Sequence, residues 1–508
     1  MNRPEDPFKK RYLYKLFSNF INFLFSLISQ SIIPRGLGPE AYGSFSFLTN
    51  FFTQMTGFMD AGTSTYFYTR LSRRPKDQGL VSFYFIFAGV IFALIALFVA
   101  ITVTAAIYPV LWPNQGIPFI YLAFGLGFLM WFAQVINSMT DAYGLTVPAE
   151  ILKTLQRFVA VLILLGLFVT HRLDLKNFFF YNYVIWLIFA VLLIGLIVKS
   201  GNLIKERLKI FAGEIKGYAR ELWRYSHPLF AYSLVVLVGG IFDRWLLQVY
   251  GGSVQQGFYS LSYQIGIICF LFTGAMTPLF MRELSIAHEN KDLDKMKRMF
   301  RRYVPILYAI TAYFSCFIAV EADKVVYIFG GNRFNGAIIA VAIMAFYPIH
   351  QTFGQLSSSV FYATAQTKLY RNIGIIIILA GLPVTYFLIA PSERMGINAG
   401  AAGLAAKMVA LNIIGVNVQL YFNAKQLRFN YWRYLGHQIM VVGIFIVFAI
   451  GADLVVNFLL KSGGKMTIFF ASGVLYSALA MIAVYLFPVI LGLHHNDINA
   501  FIHIGGRK

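Results

Sequence analysis

Residues 79–108 read GLVSFYFIFAGVIFALIALFVAITVTAAIY, and this stretch contains no Asp, Glu, Lys or Arg. The hydrocarbon core of a bilayer is about 30 Å thick and is crossed by about 20 helical residues, because each residue adds about 1.5 Å. The stretch therefore predicts a membrane-spanning helix. It is too long and too uniformly apolar for a barrel strand, the other structure that satisfies its backbone polar groups inside lipid.

Similar apolar runs recur along the whole chain and are separated by short charged hinges. Together they predict an all-α polytopic membrane protein with about fourteen transmembrane helices. Their predicted bounds are 16–33, 42–69, 79–108, 117–139, 149–170, 177–198, 226–250, 255–281, 303–320, 336–363, 369–390, 398–421, 434–457 and 466–492. A hydrophobic content of 58% and a mean hydropathy of +0.68 agree with this class.

The chain is strongly basic, with a formal net charge of +21 and a pI near 9.8. Such a balance often marks a nucleic-acid binder. Here, however, 32 of the 42 Lys and Arg residues fall on the same side of the predicted helices as the amino terminus, and eight fall on the other. Positive residues collect in cytoplasmic loops of membrane proteins. The distribution predicts cytoplasmic termini and no nucleic-acid partner.

Cys269 and Cys316 are the only cysteines, and both fall in predicted spans. They indicate neither a disulfide framework nor a cysteine-based metal site, so no metal and no cofactor are expected. The first apolar run is followed by Pro34–Glu40 without a small-x-small cleavage site, which predicts a retained helix.

Two predicted cytoplasmic linkers, residues 199–225 and 282–302, each carry seven Lys or Arg residues. In the first linker apolar and basic residues alternate irregularly from Leu203 to Lys216. This pattern is typical of an amphipathic helix lying on anionic headgroups, and equally of a solvated connector enriched in positive charge. Neither linker has a catalytic pattern.

The chain also contains an internal repeat. Residues 37–45 read LGPEAYGSF after the first helix, and residues 250–259 read YGGSVQQGFY after the seventh. Aligning them pairs three positions: Gly43 with Gly257, Gly38 with Gly252, and Phe45 with Tyr259. Both loops follow an odd-numbered helix, so the two halves share one orientation.

A parallel repeat of six plus six helices follows from that alignment. The predicted organisation is an amino-terminal lobe over residues 1–225, including the basic amphipathic linker, and a second lobe over 226–433. Helices 13 and 14 and a cytoplasmic tail occupy 434–508. Repeats of this kind usually enclose a substrate path and alternate its access between the two sides. Helices 13 and 14, outside the repeat, are a candidate groove for a lipid tail.

The segment Arg35-x-Leu37-Gly38-Pro39-Glu40-x-Tyr42-Gly43, followed by Asp60-x-Gly62, resembles the amino-terminal signature of polysaccharide flippases. These form the O-antigen, Wzx-type branch of the multidrug/oligosaccharidyl-lipid/polysaccharide (MOP) exporter superfamily. Later landmarks are also similar, and the resemblance extends to about residue 430. They are Asp243-Arg244, the 251–259 loop, residues 287–295, and Phe329-Gly330 with Phe334 and Ala337.

The resemblance implies a transporter in the bacterial plasma (inner) membrane, not an enzyme. Its cargo would be an undecaprenyl-pyrophosphate-linked oligosaccharide, turned from the cytoplasmic to the outer leaflet. Implied partners are this lipid-linked glycan, membrane lipids, H⁺ or Na⁺ as a coupling ion, and polysaccharide polymerase machinery. A polar, cationic cavity open to lipid would suit such a cargo.

Four basic residues are candidates for binding the anionic cargo. Lys407 lies near the middle of a predicted span among small residues, where a charge costs about 2.5–3.5 kcal/mol on insertion scales and should face a wet cavity or pair internally. Arg244 lies in the seventh predicted helix and binds phosphate or forms a structural ion pair. Arg35 and Arg70 either mark the membrane boundary or bind cargo, and the resemblance favours cargo binding by Arg35.

Three further residues are candidates for ion coupling. A carboxylate in a low dielectric can hold a proton, and histidine titrates near neutrality. The candidates are Asp243, Asp60 and His350. The competing interpretations are that Asp60 caps a helix break with Ala61 and Gly62, and that His350 is a hydrogen-bonded core residue.

Three other functions compete with the flippase. A multidrug or cation antiporter of the same superfamily would favour carboxylates in its cavity, and a lipid II flippase would carry another pyrophosphate cargo. A membrane glycosyltransferase or polymerase is the most remote, because the longest predicted outer loop is short and runs from Glu321 to Asn335.

Overall fold

The structure is a computed structural model that describes residues 8–104, 106–201, 212–461 and 463–493. Within these residues the chain is helical and contains no β-strand. Its helices are α1 (Phe8–Asp60), α2 (Thr63–Arg73), α3 (Gln78–Thr104), α4 (Tyr108–Leu111), α5 (Ile117–Ala142), α6 (Thr146–Val169), α7 (Leu175–Lys199), α8 (Ala212–Ile267), α9 (Leu271–Glu289), α10 (Leu293–Val320), α11 (Ala322–Gly330), α12 (Ile338–Met344), α13 (Tyr347–Ala363), α14 (Thr367–Ile389), α15 (Gly400–Leu427), α16 (Tyr431–Leu459) and α17 (Lys465–Leu486).

The predicted all-helical membrane architecture is confirmed. Among the described residues, eleven helical segments are long and apolar enough to cross a membrane. One of them, Leu229–Phe270, corresponds to two predicted spans, and α1, which contains the first predicted span and much of the second, is not among the eleven. The count of fourteen spans therefore stays a prediction. The amphipathic stretch proposed from Leu203 onward falls largely at 202–211, outside the described residues, as do the terminal segments 1–7 and 494–508.

The two longest helices each bend at a glycine. In α1 the backbone at Gly38 has φ 75° and ψ 171°, and in α8 the backbone at Gly252 has φ 65° and ψ −173°. Such angles are readily adopted only by glycine, because a Cβ atom would clash with the backbone. Because these are the two glycines that the repeat alignment pairs, the predicted equivalence is confirmed at the backbone of both positions.

Backbone packing divides the chain into two compact units, Met1–Gly257 and Phe258–Lys508. In the first unit, α1 packs against α5 and α6, and α5 packs against α7. An aromatic core containing Phe47, Phe52 and Trp112 lies among these helices. The lobe boundary after residue 225 was drawn from sequence equivalence, not from packing, and stays a prediction.

In the second unit, α15 packs against α12, α13 and α14, while α10 packs against α13 and α16. Helix α17 packs against α16. Phe300, Tyr308, Phe353 and Tyr476 are among the buried side chains of its core. The core therefore contains residues from α16 and α17, the two helices that the repeat leaves over.

Large apolar side chains cover the outward faces of both units. Examples are Leu97 and Val191 in the first unit and Val447 and Met481 in the second, all of them exposed. A water-soluble protein rarely exposes continuous apolar surface on this scale, whereas lipid tails solvate it without cost. The exposed faces are thus those of a membrane protein.

Candidate functional site

The two bent helices cross closely within the first unit, and glycines make the crossing possible. A Cβ atom at Gly43 would overlap the carbonyl oxygen of Ser253, and one at Gly257 would overlap the carbonyl oxygen of Pro39. In the repeat alignment Ser253 is the counterpart of Pro39. The contact is therefore reciprocal. Gly43 touches the backbone four residues before Gly257, and Gly257 touches the backbone four residues before Gly43. We call the segments 38–44 and 252–257 the glycine crossing.

Buried polar side chains surround the glycine crossing. The hydroxyl of Ser44 donates to that of Ser253 at 2.9 Å. The side-chain amides of Gln115 and Gln248 also donate to the Ser253 hydroxyl, at 3.2 and 3.1 Å. Gln248 donates in addition to the carbonyl oxygen of Pro113 at 3.1 Å. These bonds satisfy backbone and side-chain groups that would otherwise be costly to bury in a membrane.

Arg244 lies beside this network, in the part of α8 before its bend. Its guanidinium donates to the side-chain oxygen of Gln256 at 3.0 Å. The amide of Gln256, which is fully buried, donates back to the carbonyl oxygen of Arg244. Tyr42 lies close enough to interact with the charge of Arg244. The glycine crossing and Gln256 together fix where this cation is located.

Asp243, the neighbour of Arg244, is buried. Consecutive helical residues point about 100° apart, so the two side chains leave the helix in different directions. The structure therefore puts a basic and an acidic side chain next to the crossing. Arg35 lies three residues before the bend in α1 and is exposed.

Asp60 joins the end of α1 to the start of α2. One carboxylate oxygen accepts hydrogen bonds from the backbone N–H of Ser64 at 3.0 Å, from the hydroxyl of Thr63 at 3.0 Å and from the indole of Trp131 at 3.3 Å. The other oxygen accepts from the hydroxyl of Ser64 at 2.9 Å. These bonds place the Asp60 carboxylate at the start of α2, where the capping interpretation expects it, and Ala61, with φ 38°, lies at the break between the helices.

Arg70 forms an ion pair with Glu221 of α8. It also donates to the hydroxyl of Tyr66 at 2.7 Å, and its guanidinium lies 5.2 Å from the ring centre of Tyr218. The hydroxyl of Tyr218 donates to Asp77 at 2.7 Å. Burial, followed by this bond to Asp77, raises the pKa of Tyr218 to about 12, so the hydroxyl stays protonated. The Arg70 guanidinium also lies 4.0 Å from a carboxylate oxygen of Asp77, so Arg70 is engaged by two carboxylates and two tyrosines in the first unit.

Lys407 occupies the second unit, in α15, with only 7% of its surface exposed. A Cβ atom at Gly381 of α14 would lie 2.9 Å from its Cε atom and 3.2 Å from its Nζ atom. The missing side chain at Gly381 therefore provides the space that the lysine fills. At Gly403 a Cβ atom would lie 3.1 Å from the carbonyl oxygen of Leu388, which confirms that small residues let α14 and α15 approach closely.

His350 is also in the second unit, on α13. It is buried, and its ring packs edge to face against Tyr308 at 5.9 Å between ring centres. Its surroundings are those of a core residue. His350 and Lys407 therefore belong to one unit, whereas Arg35, Asp60, Arg70, Asp243 and Arg244 belong to the other.

The acidic residues of the longest predicted outer loop form an ion-pair cluster. Lys324 Nζ lies 2.7 Å from carboxylate oxygens of both Glu321 and Asp453. Burial raises the pKa of Glu321 against the opposing effect of Lys324. Burial also opposes the charge of Lys324, but bonds to Asp453 and Glu321 outweigh it and raise the lysine pKa. These groups join α11 to α16, which is a structural role.

A family model described as "Polysaccharide biosynthesis protein" matches residues 8–282. The match covers more than half of the 508 residues. This chain belongs to the polysaccharide biosynthesis protein family. The matched region includes both segments of the glycine crossing, Arg244 and the Asp60 cap. A search of curated protein sequences gave no significant match.

Solved structures with a similar fold match most of the length of this polysaccharide biosynthesis protein. The lipid II flippase MurJ in an inward closed conformation is 12% identical, with a TM-score of 0.69 over 93% of this chain and 98% of that one. An inward-facing multidrug resistance MATE family transporter of the MOP superfamily is 14% identical, with a TM-score of 0.62 over 81% and 98%. At these identities the likeness shows the fold.

Family and fold together give a multi-pass membrane protein of the polysaccharide biosynthesis protein family, with a fold similar to those of the lipid II flippase and the MATE transporter. For this polysaccharide biosynthesis protein, sequence reasoning had found Arg244 but missed its partner Gln256. It had also missed Gln115 and Gln248. For Gln248 and Gln256 the available signal was a glutamine inside an apolar span, since an amide there must find hydrogen-bond partners. Among the described residues no cluster of His, Cys, Asp or Glu has the arrangement of a metal site.

Proposed function

We propose that this transporter moves an undecaprenyl-pyrophosphate-linked oligosaccharide from the cytoplasmic to the outer leaflet of the bacterial plasma membrane by alternating access. The observation that carries the proposal is the pair of cations inside apolar helices, Arg244 and Lys407, in a polysaccharide biosynthesis protein. A charge in such a position is costly and usually functional. A pyrophosphate would provide the compensating anions.

The two cations would contribute differently. Arginine presents a planar fork of N–H donors suited to phosphate oxygens, and Gln256 holds one of these groups in a fixed place. Lysine is a compact charge on a flexible stem, so Lys407 can follow a moving anion within the space beside Gly381. In this proposal Arg35 meets cargo near the bend of α1. Arg70, held by Glu221, supports the cytoplasmic end of the path.

The membrane potential favours this transport direction. Moving one negative charge outward across an inside-negative potential of 100 mV releases about 2.3 kcal/mol. For additional coupling to H⁺ or Na⁺, Asp243 is the preferred candidate because it is buried and is the chain neighbour of Arg244. Asp60 and His350 rank lower, since the first accepts three hydrogen bonds from the start of α2 and one from Trp131, and the second packs in a core.

Transport of lipid II is the second candidate, and the observation favouring it is the similarity of fold to the lipid II flippase over 93% of this chain. A cation antiporter is less well supported, because it would need carboxylates exposed in a cavity and Asp60 is used as a cap. Both termini are proposed to be cytoplasmic, in line with the distribution of Lys and Arg. A polysaccharide polymerase acting on the flipped product is the proposed partner.

The test uses purified protein in vesicles carrying a fluorescent undecaprenyl-pyrophosphate oligosaccharide, with a membrane-impermeant glycosidase reporting which leaflet holds the glycan. We expect transport by the wild type and loss of most of it in Arg244→Gln and Lys407→Gln. Arg220→Gln and Lys425→Gln are the matched controls, since they remove exposed cations from the same helices, α8 and α15. Equal losses in the controls would refute a specific role for the in-span cations.

The cargo is tested in the same vesicles with labelled lipid II. Faster transport of lipid II than of the oligosaccharide would replace the first candidate by the second. Coupling is tested with Asp243→Asn: we expect transport no longer to respond to a pH gradient, and an unchanged response would exclude Asp243 as the proton carrier.

A further inference from the structure

The second unit contains a basic pocket apart from the in-span cations. It lies between the start of α10, the turn joining α15 to α16, the first turns of α16 and the chain after α17, and its volume is about 380 Å³. Five basic side chains line it: Lys297, Arg301, Arg428, Arg433 and His437. We call it the basic pocket. Lys407 and Arg244 are not among its lining residues.

Among the described residues, the basic pocket is lined by cations without a carboxylate. The guanidinium groups of Arg301 and Arg433 both interact electrostatically with the Tyr434 hydroxyl, and Arg433 also interacts with His437. None of the lining residues is Asp or Glu. Within the described residues, no carboxylate forms an ion pair with the lysine or arginines of the pocket. Like charges lining one pocket repel one another, so an anion bound among them would be stabilised.

The backbone at Arg428 supports a role for its side chain. Arg428 follows the last residue of α15 and has φ 53° and ψ 54°, the left-handed conformation. Glycine is the usual residue at this position after a helix, because it adopts that conformation without strain. An arginine at this position adds a cation to the lining of the pocket despite the unfavourable backbone.

The remaining walls of the pocket are apolar and continue onto the lipid-facing surface. Pro305, Phe429, Tyr434 and Leu493 contribute to the lining. Val489, also in the lining, is 56% exposed, and the surfaces of α16 and α17 near the pocket carry further exposed apolar side chains. A ligand that fits such walls has an anionic head and an apolar body.

We propose that the basic pocket binds the phosphate headgroup of an anionic membrane phospholipid, whose acyl chains lie along α16 and α17. On the topology predicted from Lys and Arg, this end of α16 is cytoplasmic, where anionic lipids attract basic residues. The ligand is a resident lipid and not the transported cargo, so the proposal goes beyond the proposed function. His437 donates through Nε2 to the carbonyl oxygen of Ile490 at 3.1 Å, which orients its ring at the inner wall.

Native mass spectrometry of the full-length protein tests this proposal through four ligands: phosphatidylglycerol, phosphatidylcholine, inorganic phosphate and undecaprenyl phosphate. We expect phosphatidylglycerol to bind most tightly. Each basic residue near an anionic lipid contributes about fivefold in affinity, so Arg301→Gln with Arg433→Gln should weaken phosphatidylglycerol binding about 25-fold. The charge-preserving pair Arg301→Lys with Arg433→Lys should retain most of it.

Lys368→Gln with Arg371→Gln is the matched control, because it removes two exposed cations of the same unit that do not line the pocket. An equal loss in this control, or equal binding of phosphatidylcholine, would overturn the proposal in favour of nonspecific surface charge. Tighter binding of inorganic phosphate or of undecaprenyl phosphate would overturn it in favour of a soluble anion or of cargo. Unchanged melting of the variants in phosphatidylcholine shows that they fold.

Discussion

Arg244 in the first unit and Lys407 in the second are both cations inside apolar helices, but their surroundings differ. Arg244 is fixed by hydrogen bonds to Gln256, next to a crossing where backbone atoms touch. Lys407 instead fills the space left by the glycine at 381. The environment of Arg244 consists of directional hydrogen bonds and backbone contacts, which cannot shift without a loss of stability. The environment of Lys407 is the space beside a glycine, and the flexible lysine side chain can move out of it.

The comparison predicts the largest effect at the glycine crossing. Gly43→Ala should destabilise the protein by about 3 kcal/mol or more, because the new Cβ atom meets the carbonyl oxygen of Ser253, and backbone atoms cannot move aside as side chains do. Thermal unfolding in detergent would measure the loss. Gly57→Ala in the same helix is the control and should cause no loss of stability, since nothing lies within 4 Å of its Cβ position and alanine favours a helix over glycine. Equal stability of both variants would mean that the helices do not cross this closely.

The second effect is the loss of the partner of Arg244. Gln256→Leu keeps the volume but removes both hydrogen bonds, and we expect a loss of about 1.5–3 kcal/mol, the usual range for hydrogen bonds to a charged group. Chemical unfolding in detergent measures it. Gln134→Leu removes an exposed glutamine from α5 and should change stability by less than about 0.5 kcal/mol. A loss no larger than in this control would show that Gln256 does not hold the guanidinium.

More of the environment of Arg244 than of the environment of Lys407 could be predicted from the sequence. The bends at Gly38 and Gly252 were predictable as equivalent positions because the repeat is local and both segments keep their glycines. The small residues beside Lys407 on α15 were also visible. The glycine at 381 was not, because it lies on another helix, and which residues meet across a helix pair depends on the crossing angle and register.

Polar partners were the least predictable part of the site. Arg70 meets Glu221 and Tyr218 from a distant part of the chain, and Gln256 reaches Arg244 across a bend in one helix. Hydropathy identifies the spans because lipid imposes one requirement on every segment. It contains no information about which polar side chains will meet. The break at Ala61 was visible, however, since Asp60 and Gly62 are typical of a helix cap.

A smaller effect is predicted within the network around the crossing. Ser44→Ala removes one neutral hydrogen bond to Ser253 and should cost about 1 kcal/mol, since Gln115 and Gln248 still donate to the Ser253 hydroxyl. Thermal unfolding would detect this shift. The exposed Ser72 of α2, replaced by alanine, is the control and should show no loss. A cost as large as that of Gly43→Ala would mean that the hydroxyls, and not the glycines, determine the crossing.

The smallest effect on stability is predicted beside Lys407. The new Cβ atom of Gly381→Ala would approach the ends of two side chains, Leu411 Cδ1 at 2.8 Å and Lys407 Cε at 2.9 Å, which can move away, and alanine favours a helix over glycine by up to about 1 kcal/mol. The two effects oppose each other, so stability should change by less than about 0.5 kcal/mol while the ammonium group of Lys407 is displaced.

If the position of this cation matters for transport, vesicle transport should fall severalfold in a protein that melts normally. Gly415→Ala, which makes only ordinary contact with Ile377 across the same helix pair, should leave transport unchanged and raise stability by up to about 1 kcal/mol. Full transport by Gly381→Ala would mean that Lys407 either tolerates displacement or does not meet the cargo, and Lys407→Gln in the same assay would distinguish these two cases.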